Sequence, residues 1–215
     1  MSSVWKLINL KGRRALITGA KGGIGSVMAH TLAELGAYLI LVDRPGTDFS
    51  PLTASLKSRW GVQVWHYHCD LEQNDQRLEL LGLVKNQHAL LNILINNAAF
   101  VGDTDLKGWV TSFEEQTIDT WRRALEVNLT APFHLSQGLA PLLKSSEGAS
   151  IINIGSIYGE YGPDWRLYEN TNMGNPAAYG ASKGGIHQLT RWLATTLAPD
   201  IRVNAISPGG VLRNQ

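Results

Sequence analysis

The sequence predicts an α/β fold, a single doubly wound parallel sheet with helices on both faces. Three observations predict it. Short β-branched runs alternate with longer helical patterns, which is the signature of βαβ units. Several of those runs are continuously apolar, as strands covered on both faces must be. The first run passes straight into a glycine-rich turn and then a helical pattern.

Taken in order, the predicted strands are Arg13 to Thr18, Tyr38 to Asp43, Val62 to Cys69, Leu90 to Asn96, Ser150 to Ser156 and Ile201 to Ile206. Leu39-Ile40-Leu41-Val42 and Ile93-Leu94-Ile95 are the unbroken apolar runs. A helix is expected over Ser26 to Leu35 after the glycine turn. Another lies between Pro176 and Pro199, where Ile186, Leu189, Leu193 and Leu197 recur at three- and four-residue spacing and form one apolar stripe. No repeat, low-complexity tract or linker interrupts the pattern, so residues 1–215 read as one domain.

With 44% apolar residues among 215, the chain is long enough to bury one sizeable core. Its net charge of +1, spread along the chain, offers no electrostatic footprint for nucleic acid or a membrane surface, so a small-molecule partner is expected. No stretch reaches the length of a membrane span, and a cytoplasmic protein is expected. Cys69 is the only cysteine, which excludes an intrachain disulfide and reads as a buried, inert thiol. His66 and His68 fall on one face of the third strand, with Cys69 and Asp70 following, but no further ligand is evidently placed to complete a site. They read as packed strand histidines, and no metal is expected. Trp60, Trp121 and Trp192 fall in helical patterns and read as core or interface residues.

The turn Thr18-Gly19-Ala20-Lys21-Gly22-Gly23-Ile24-Gly25 links the first strand to a helix. Glycine is needed there for positive φ and for the close approach of a pyrophosphate to a helix N-terminus, whose free N–H groups and dipole favour an anion. Asp43 closes the second strand 18 residues beyond Gly25, where a carboxylate can accept hydrogen bonds from adenosine ribose hydroxyls. That pattern points to a Rossmann-type dinucleotide site. Asp43 would repel the additional phosphate of NADP, so NAD is expected, while Arg44 and Lys21 leave NADP as an alternative.

Tyr179 and Lys183 are four residues apart on a helical pattern and share one face. A free phenol has a pKa near about 10, too high for efficient base catalysis at neutral pH, and a neighbouring ammonium favours the phenolate. Lys183 can therefore make Tyr179 a usable acid/base.

Thr18 to Gly25, Asn96-Asn97-Ala98-Ala99, Asn128, Ser156, Tyr179-Gly180-Ala181-Ser182-Lys183 and Ser207-Pro208-Gly209-Gly210 occur in one order along nearly the whole chain. In these motifs the sequence resembles the compact, NAD(P)-dependent branch of the short-chain dehydrogenase/reductase family. The resemblance implies hydride transfer between a nicotinamide and a secondary alcohol or ketone. Tyr179 would exchange the proton, Ser156 would orient the substrate oxygen, and Lys183 would also bind the nicotinamide ribose. It implies cofactor contacts from Gly19, Lys21, Gly23, Ile24, Gly25, Asp43, Asp70, Leu71, Asn97, Ala98, Tyr179, Lys183, Pro208 and Gly209. Asp70 and Leu71 would border the adenine, Asn97 and Ala98 would line the groove, and Pro208 and Gly209 would flank the nicotinamide. A homodimer or homotetramer follows from the same resemblance. For Asn128 a physical argument runs beside it: Pro132, four residues on, has no N–H to donate to the Asn128 carbonyl, which leaves that oxygen for a water in a proton relay.

Two features depart from the pattern. Ser156 and Tyr179 are 23 positions apart, a long gap containing Tyr161, Trp165, Tyr168, Glu169, Asn170, Thr171 and Asn172. Trp165 and Tyr168 are candidate substrate contacts, since rings cover the C–H faces of a sugar or sugar derivative while amides and carboxylates read its hydroxyls. Tyr168 to Pro176 also resembles short-chain reductases associated with bacterial surface-carbohydrate and flagellin modification. The family continues past Pro208-Gly209 through a further helix and strand, so the chain reads as C-terminally incomplete. Two alternatives stand beside the main reading. One is an enzyme of the extended branch, like the nucleotide-sugar epimerases and dehydratases, whose glycine spacing Gly19, Gly22 and Gly25 also satisfy. The other is a non-catalytic dinucleotide-binding module.

Overall fold

The computed structural model describes residue 4 and residues 8–101, 106–171 and 173–211. Six parallel strands, β1 (Arg14–Thr18), β2 (Tyr38–Asp43), β3 (Val64–His68), β4 (Ile93–Asn96), β5 (Ala149–Ile154) and β6 (Ile201–Ile206), lie in the order β3-β2-β1-β4-β5-β6. Both halves of this doubly wound sheet start from its centre and grow outward. All six predicted strands are present, most of them trimmed by a residue or more at one end.

Among the described residues six helices connect them: α1 (Gly23–Glu34), α2 (Ser50–Trp60), α3 (Asn74–Gln87), α4 (Ile118–Leu125), α5 (Ala131–Lys144) and α6 (Ala177–Leu197). Alternate residues of each central strand are buried in different layers. Leu16, Ile40, Leu94 and Ile151 pack with Leu80 of α3, Leu135 and Leu139 of α5 and Leu193 of α6. Ala15, Ile17, Leu39, Leu41, Ile93 and Ile95 pack with Ala29 and Ala33 of α1 and Leu52 and Leu56 of α2. Continuous burial on both faces explains why the central runs carry no polar alternation.

Local signals set the helix ends. Pro51 sits in the first turn of α2, where its missing N–H costs nothing, and Gly61 closes that helix in the left-handed region at φ 64°. Thr117 caps α4, its hydroxyl accepting from the Thr120 N–H. Between α4 and α5 the chain makes a π turn over Glu126–Thr130, with the Ala131 N–H reaching the Glu126 carbonyl and Pro132 in the first turn of α5.

Two sequence expectations need correcting here. α1 begins at Gly23 rather than Ser26, so its first turn lies inside the glycine motif. Trp60, Trp121 and Trp192 are surface-exposed, which removes the core half of their reading and leaves the interface half, and among the described residues the fully buried indole is Trp109, which stacks edge-on with Phe100 at 5.0 Å and donates to the Val101 carbonyl. Cys69 is buried, and burial pushes its thiol up to about 11, which keeps it protonated and inert. His66 and His68 do share a face, and both rings pack on Phe49. No described helix is long and apolar enough to cross a membrane.

Candidate active site

The C-terminal ends of β1, β2, β4, β5 and β6 bring the predicted site residues to one edge of the sheet, around the switch in strand order between β1 and β4. The glycine turn leaves β1 with Gly19 in the left-handed region at φ 61°. Gly25 is required by contact: a Cβ there would stand 2.1 Å from the Gly19 carbonyl oxygen. A Cβ on Gly23, at the start of α1, would meet only open space, so the helix N-terminus is bare where a pyrophosphate would approach. These residues fit a dinucleotide.

Asn97 and Thr18 brace this turn. The Asn97 amide donates to the carbonyls of Thr18 (2.9 Å) and Gly19 (3.0 Å), and the Thr18 hydroxyl accepts from the N–H groups of Asn97 and Ala98. Asn97 thus holds the cradle's shape with its side chain, a role more specific than lining the groove. Asp43, at the end of β2, accepts from the Lys21 N–H at 2.8 Å and the Arg44 N–H at 2.9 Å, which fixes its carboxylate beside the turn. The Lys21 ammonium is turned to the Asp48 carbonyl. Ile24 lies in the first turn of α1.

Asp70 and Leu71 follow β3. The Asp70 carboxylate accepts from the Glu72 N–H, and the Leu71 carbonyl accepts from the buried Arg77 guanidinium. Arg77 also reaches Glu126 at 2.5 Å and His134 Nδ1 at 3.2 Å. Burial, followed by Arg77, lowers the His134 pKa, so its ring is a neutral acceptor for that bond. One guanidinium therefore ties the loop after β3 to the π turn that carries Asn128.

Asn128 is 1% exposed. Its carboxamide oxygen accepts from the Phe100 N–H (2.6 Å), and its amide donates to the Phe100 carbonyl and the Ser182 hydroxyl (3.0 Å). Ser182 in turn donates to the Tyr179 carbonyl at 2.8 Å. The π turn is the local distortion that Pro132 imposes, and it locks Asn128 against α6.

Tyr179 and Lys183 occupy one face of α6 as their spacing requires, with Lys183 Nζ 5.7 Å from the Tyr179 ring centre. Lys183 is 3% exposed and donates to the Ile154 carbonyl at 2.7 Å. Burial alone pushes its pKa down to about 8. Tyr179 packs beside Trp109, Ala124 and Ala178. Ser156, just past β5, is buried, and its hydroxyl accepts from the Tyr158 N–H. The Ile157 N–H donates to the Pro208 carbonyl, which joins the Ser156 loop to the one carrying Pro208 and Gly209.

In the long segment before Tyr179, Trp165 and Tyr161 line a cavity of about 500 Å³, together with Phe113, Gln116, Tyr158 and Asn175. Tyr168 is not on this wall. It stands behind it, donating to the Tyr158 hydroxyl at 2.6 Å, which corrects its assignment as a direct contact. Asn172 lies outside the described residues.

His187 escaped the sequence reading although it continues the Tyr179–Lys183 face by one more turn. Its Nε2 is 2.9 Å from the Ser207 hydroxyl, its Nδ1 is 3.7 Å from Glu160, and a Cβ at Gly155 would fall 2.3 Å from the ring. The i, i+4 repeat was the available signal. Asn175 and Tyr158 had none, because only the folded loop brings them together. Among the described residues no group of three His, Cys, Asp or Glu side chains is placed to hold a metal.

Comparison with known proteins agrees with this geometry. The family model for short chain dehydrogenases matches residues 13–214. A rhamnolipids biosynthesis 3-oxoacyl-(acyl-carrier-protein) reductase of Pseudomonas aeruginosa is 34% identical over 208 residues, covering 94% of this chain and 73% of that protein. Among solved structures, NAD+-bound xylitol dehydrogenase superposes with a TM-score of 0.78 at 32% identity, over 93% of this chain and 71% of that one. A short chain dehydrogenase of Shigella flexneri complexed with NADP gives a TM-score of 0.80 at 29% identity, over 94% and 79%.

Proposed function

The chain belongs to the short-chain dehydrogenase/reductase family, oxidoreductases that move a hydride between a nicotinamide cofactor and a secondary alcohol or ketone, and from that premise we propose that Tyr179 is the acid/base of this chain. The observation that carries the reading is the buried Lys183 ammonium beside the Tyr179 ring, on a helix face clamped through Ser182 to Asn128.

When bound, the nicotinamide supplies or accepts the hydride. The residues of the chain do the rest. Tyr179 gives its proton to the carbonyl oxygen in reduction and takes it from the hydroxyl in oxidation. Ser156 orients that oxygen. The Lys183 charge favours the phenolate and so lowers the cost of either transfer. The Gly19–Gly25 turn and the N-terminus of α1 hold the pyrophosphate, and Asp43 holds the adenosine ribose. Asp70 and Leu71 border the adenine, Ala98 lines the groove, and Pro208 and Gly209 flank the nicotinamide.

Replacing Tyr179 by Phe tests the assignment. Turnover should fall by at least about a hundredfold, the lower range for a positioned acid/base, while dinucleotide affinity measured by cofactor fluorescence stays within about twofold. Retained turnover would remove the phenol from the mechanism.

NAD is the preferred cofactor in this reading, because the Asp43 carboxylate at the end of β2 would repel the extra phosphate of NADP. The ratio of kcat/KM for NAD to that for NADP should exceed about ten and shrink in Asp43→Ala. Equal use of both by the parent chain would sink the preference. The substrate is polar and hydroxylated, a reading supported by the aromatic wall with Trp165 and by the likeness to an enzyme named for a polyol. The protein acts in the cytoplasm in this reading. It acts as a homodimer or homotetramer, supported by exposed Phe133 on α5 and Trp192 on α6, and solution mass measures that directly.

A further inference from the structure

α6 carries more than Tyr179 and Lys183 on this face. His187, one turn beyond Lys183, is only 6% exposed, and its ring meets two loops that border the reacting groups. The first is the loop after β5. Gly155 and Gly159, which flank Ser156, both lie against the imidazole: a Cβ on Gly155 would strike Nε2 and Cδ2, and one on Gly159 would stand 2.8 Å from Cε1 and 2.6 Å from the Lys183 carbonyl oxygen. Bare backbone on either side of Ser156 is thus seated directly on α6. The second is the loop after β6, where the Ser207 hydroxyl, next to Pro208, is 2.9 Å from His187 Nε2.

Backbone bonds join the two loops to each other. The Gly155 N–H donates to the Ile206 carbonyl at 2.8 Å, and the Ile157 N–H donates to the Pro208 carbonyl at 3.2 Å. Lys183 holds the end of β5 to the helix through the Ile154 carbonyl, and His187 extends that hold to the loop after β6. Packing alone does not account for a histidine here. Its Nδ1 is buried without a hydrogen-bond partner among the described residues, with Glu160 Oε1 standing off at 3.7 Å. Burying that nitrogen unpaired costs stability, which an apolar side chain of similar size would avoid. What the imidazole adds is the directional bond to Ser207.

Hydride transfer needs that direction. The nicotinamide must lie at bonding approach to the carbinol carbon while the oxygen on that carbon faces Tyr179, and a misplacement of about 1 Å costs on the order of a hundredfold in rate. We propose that His187 is a positioning residue for this step: through Ser207 it fixes the loop of Pro208 and Gly209, and through Gly155 and Gly159 the loop of Ser156, at one height over Tyr179. It acts through these loops and not by contact with substrate or cofactor. This rests on the reading of Tyr179 as the acid/base and of Pro208 and Gly209 as neighbours of the nicotinamide.

The test uses the full chain with NAD and 1,3-cyclohexanediol, in its ordinary form and deuterated at the carbinol carbons. His187→Phe keeps a ring against the two glycines and removes the bond, and Ser207→Ala removes the other partner with no change in the packing of the imidazole. Each should lower kcat by about tenfold, one hydrogen bond's worth of alignment, and raise the deuterium isotope effect on kcat, while NADH affinity stays within about twofold. The double variant should be no slower than the slower single one, since both remove the same bond. His187→Gln, whose amide can take the place of Nε2, should recover most of the rate. The emission of bound NADH should shift in His187→Phe and Ser207→Ala and stay as in the parent in Tyr179→Phe, which separates a misplaced nicotinamide from a missing acid/base. An unchanged kcat in Ser207→Ala, losses that multiply in the double variant, or a lower kcat with weakened NADH binding and no rise in the isotope effect overturns the proposal. Where the parent does not oxidise the diol, the emission decides: a spectrum unmoved by both variants overturns the proposal, and a shift in both upholds it.

Discussion

At the scale of single residues, the proposed chemistry depends on a charge held against its own burial. Lys183 has a pKa lowered to about 8 by desolvation, whereas an unfolded lysine titrates near 10.5. Its ammonium is therefore lost as pH rises through about 8. Between about pH 8 and 10.5 the unfolded chain binds more protons than the folded one, so the stability cost of burying this charge fades as pH rises through that window. Activity moves the other way. We expect kcat/KM for ketone reduction to fall above about pH 8, as the charge that supports Tyr179 disappears. Lys183→Arg, charged at any working pH, should shift that falling limb upward by a unit or more even where its maximum rate is lower. A limb unmoved by arginine would assign the titration to another group. Tyr179 and Lys183 were legible in the sequence because helical spacing alone puts them on one face. The walls of the cavity before Tyr179 were not, since only the folded loops bring Tyr158 and Asn175 together. Tyr168 failed for the same reason, its hydroxyl being spent on Tyr158.

At the scale of elements, strands and the long catalytic helix were readable from periodicity, while the junctions were not. Propensity placed the start of α1 at Ser26, yet the turn geometry carries the helix back to Gly23, where three glycines in a row of four weaken any local signal. The proline argument at Asn128 concerned only its carbonyl, left without an N–H from Pro132, and the structure adds a π turn there with Asn128 pinned by its side chain. What holds that turn was invisible. Arg77, 51 residues away from Asn128 in sequence, joins it to the loop after β3 through Leu71, Glu126 and His134. Arg77→Met keeps much of the volume and removes every donor, leaving the Leu71 carbonyl unpaired. A loss of about 3 kcal/mol is expected, the lower range for breaking a buried charged pair, read from the urea midpoint. Cofactor affinity should weaken with it, since Leu71 is proposed to border the adenine. A variant as stable as the parent would show that Glu126 and His134 gain nothing from the guanidinium.

At the scale of the whole molecule, alternating strands and helices announced a parallel sheet, but no local signal gave the strand order. The order follows from which layers the helices cover, a property of long-range packing. Its consequence is the crevice where β1 and β4 diverge, with the glycine turn and Asp43 on one side and Lys183, Ser156 and the Pro208 loop on the other. A dinucleotide laid across that switch point contacts both halves of the sheet, so it binds the folded chain and not the unfolded one. At about a hundredfold excess over its Kd, NADH should add about 2.7 kcal/mol to the free energy of unfolding. For a domain of this length that corresponds to a rise of about 5–10 °C in Tm. Gly25→Ala removes the effect at its source, because a methyl group 2.1 Å from the Gly19 carbonyl must displace either the turn or α1. The variant should melt lower than the parent and show no shift with NADH. If it melts lower but keeps the full shift, the pyrophosphate is held elsewhere than at the N-terminus of α1.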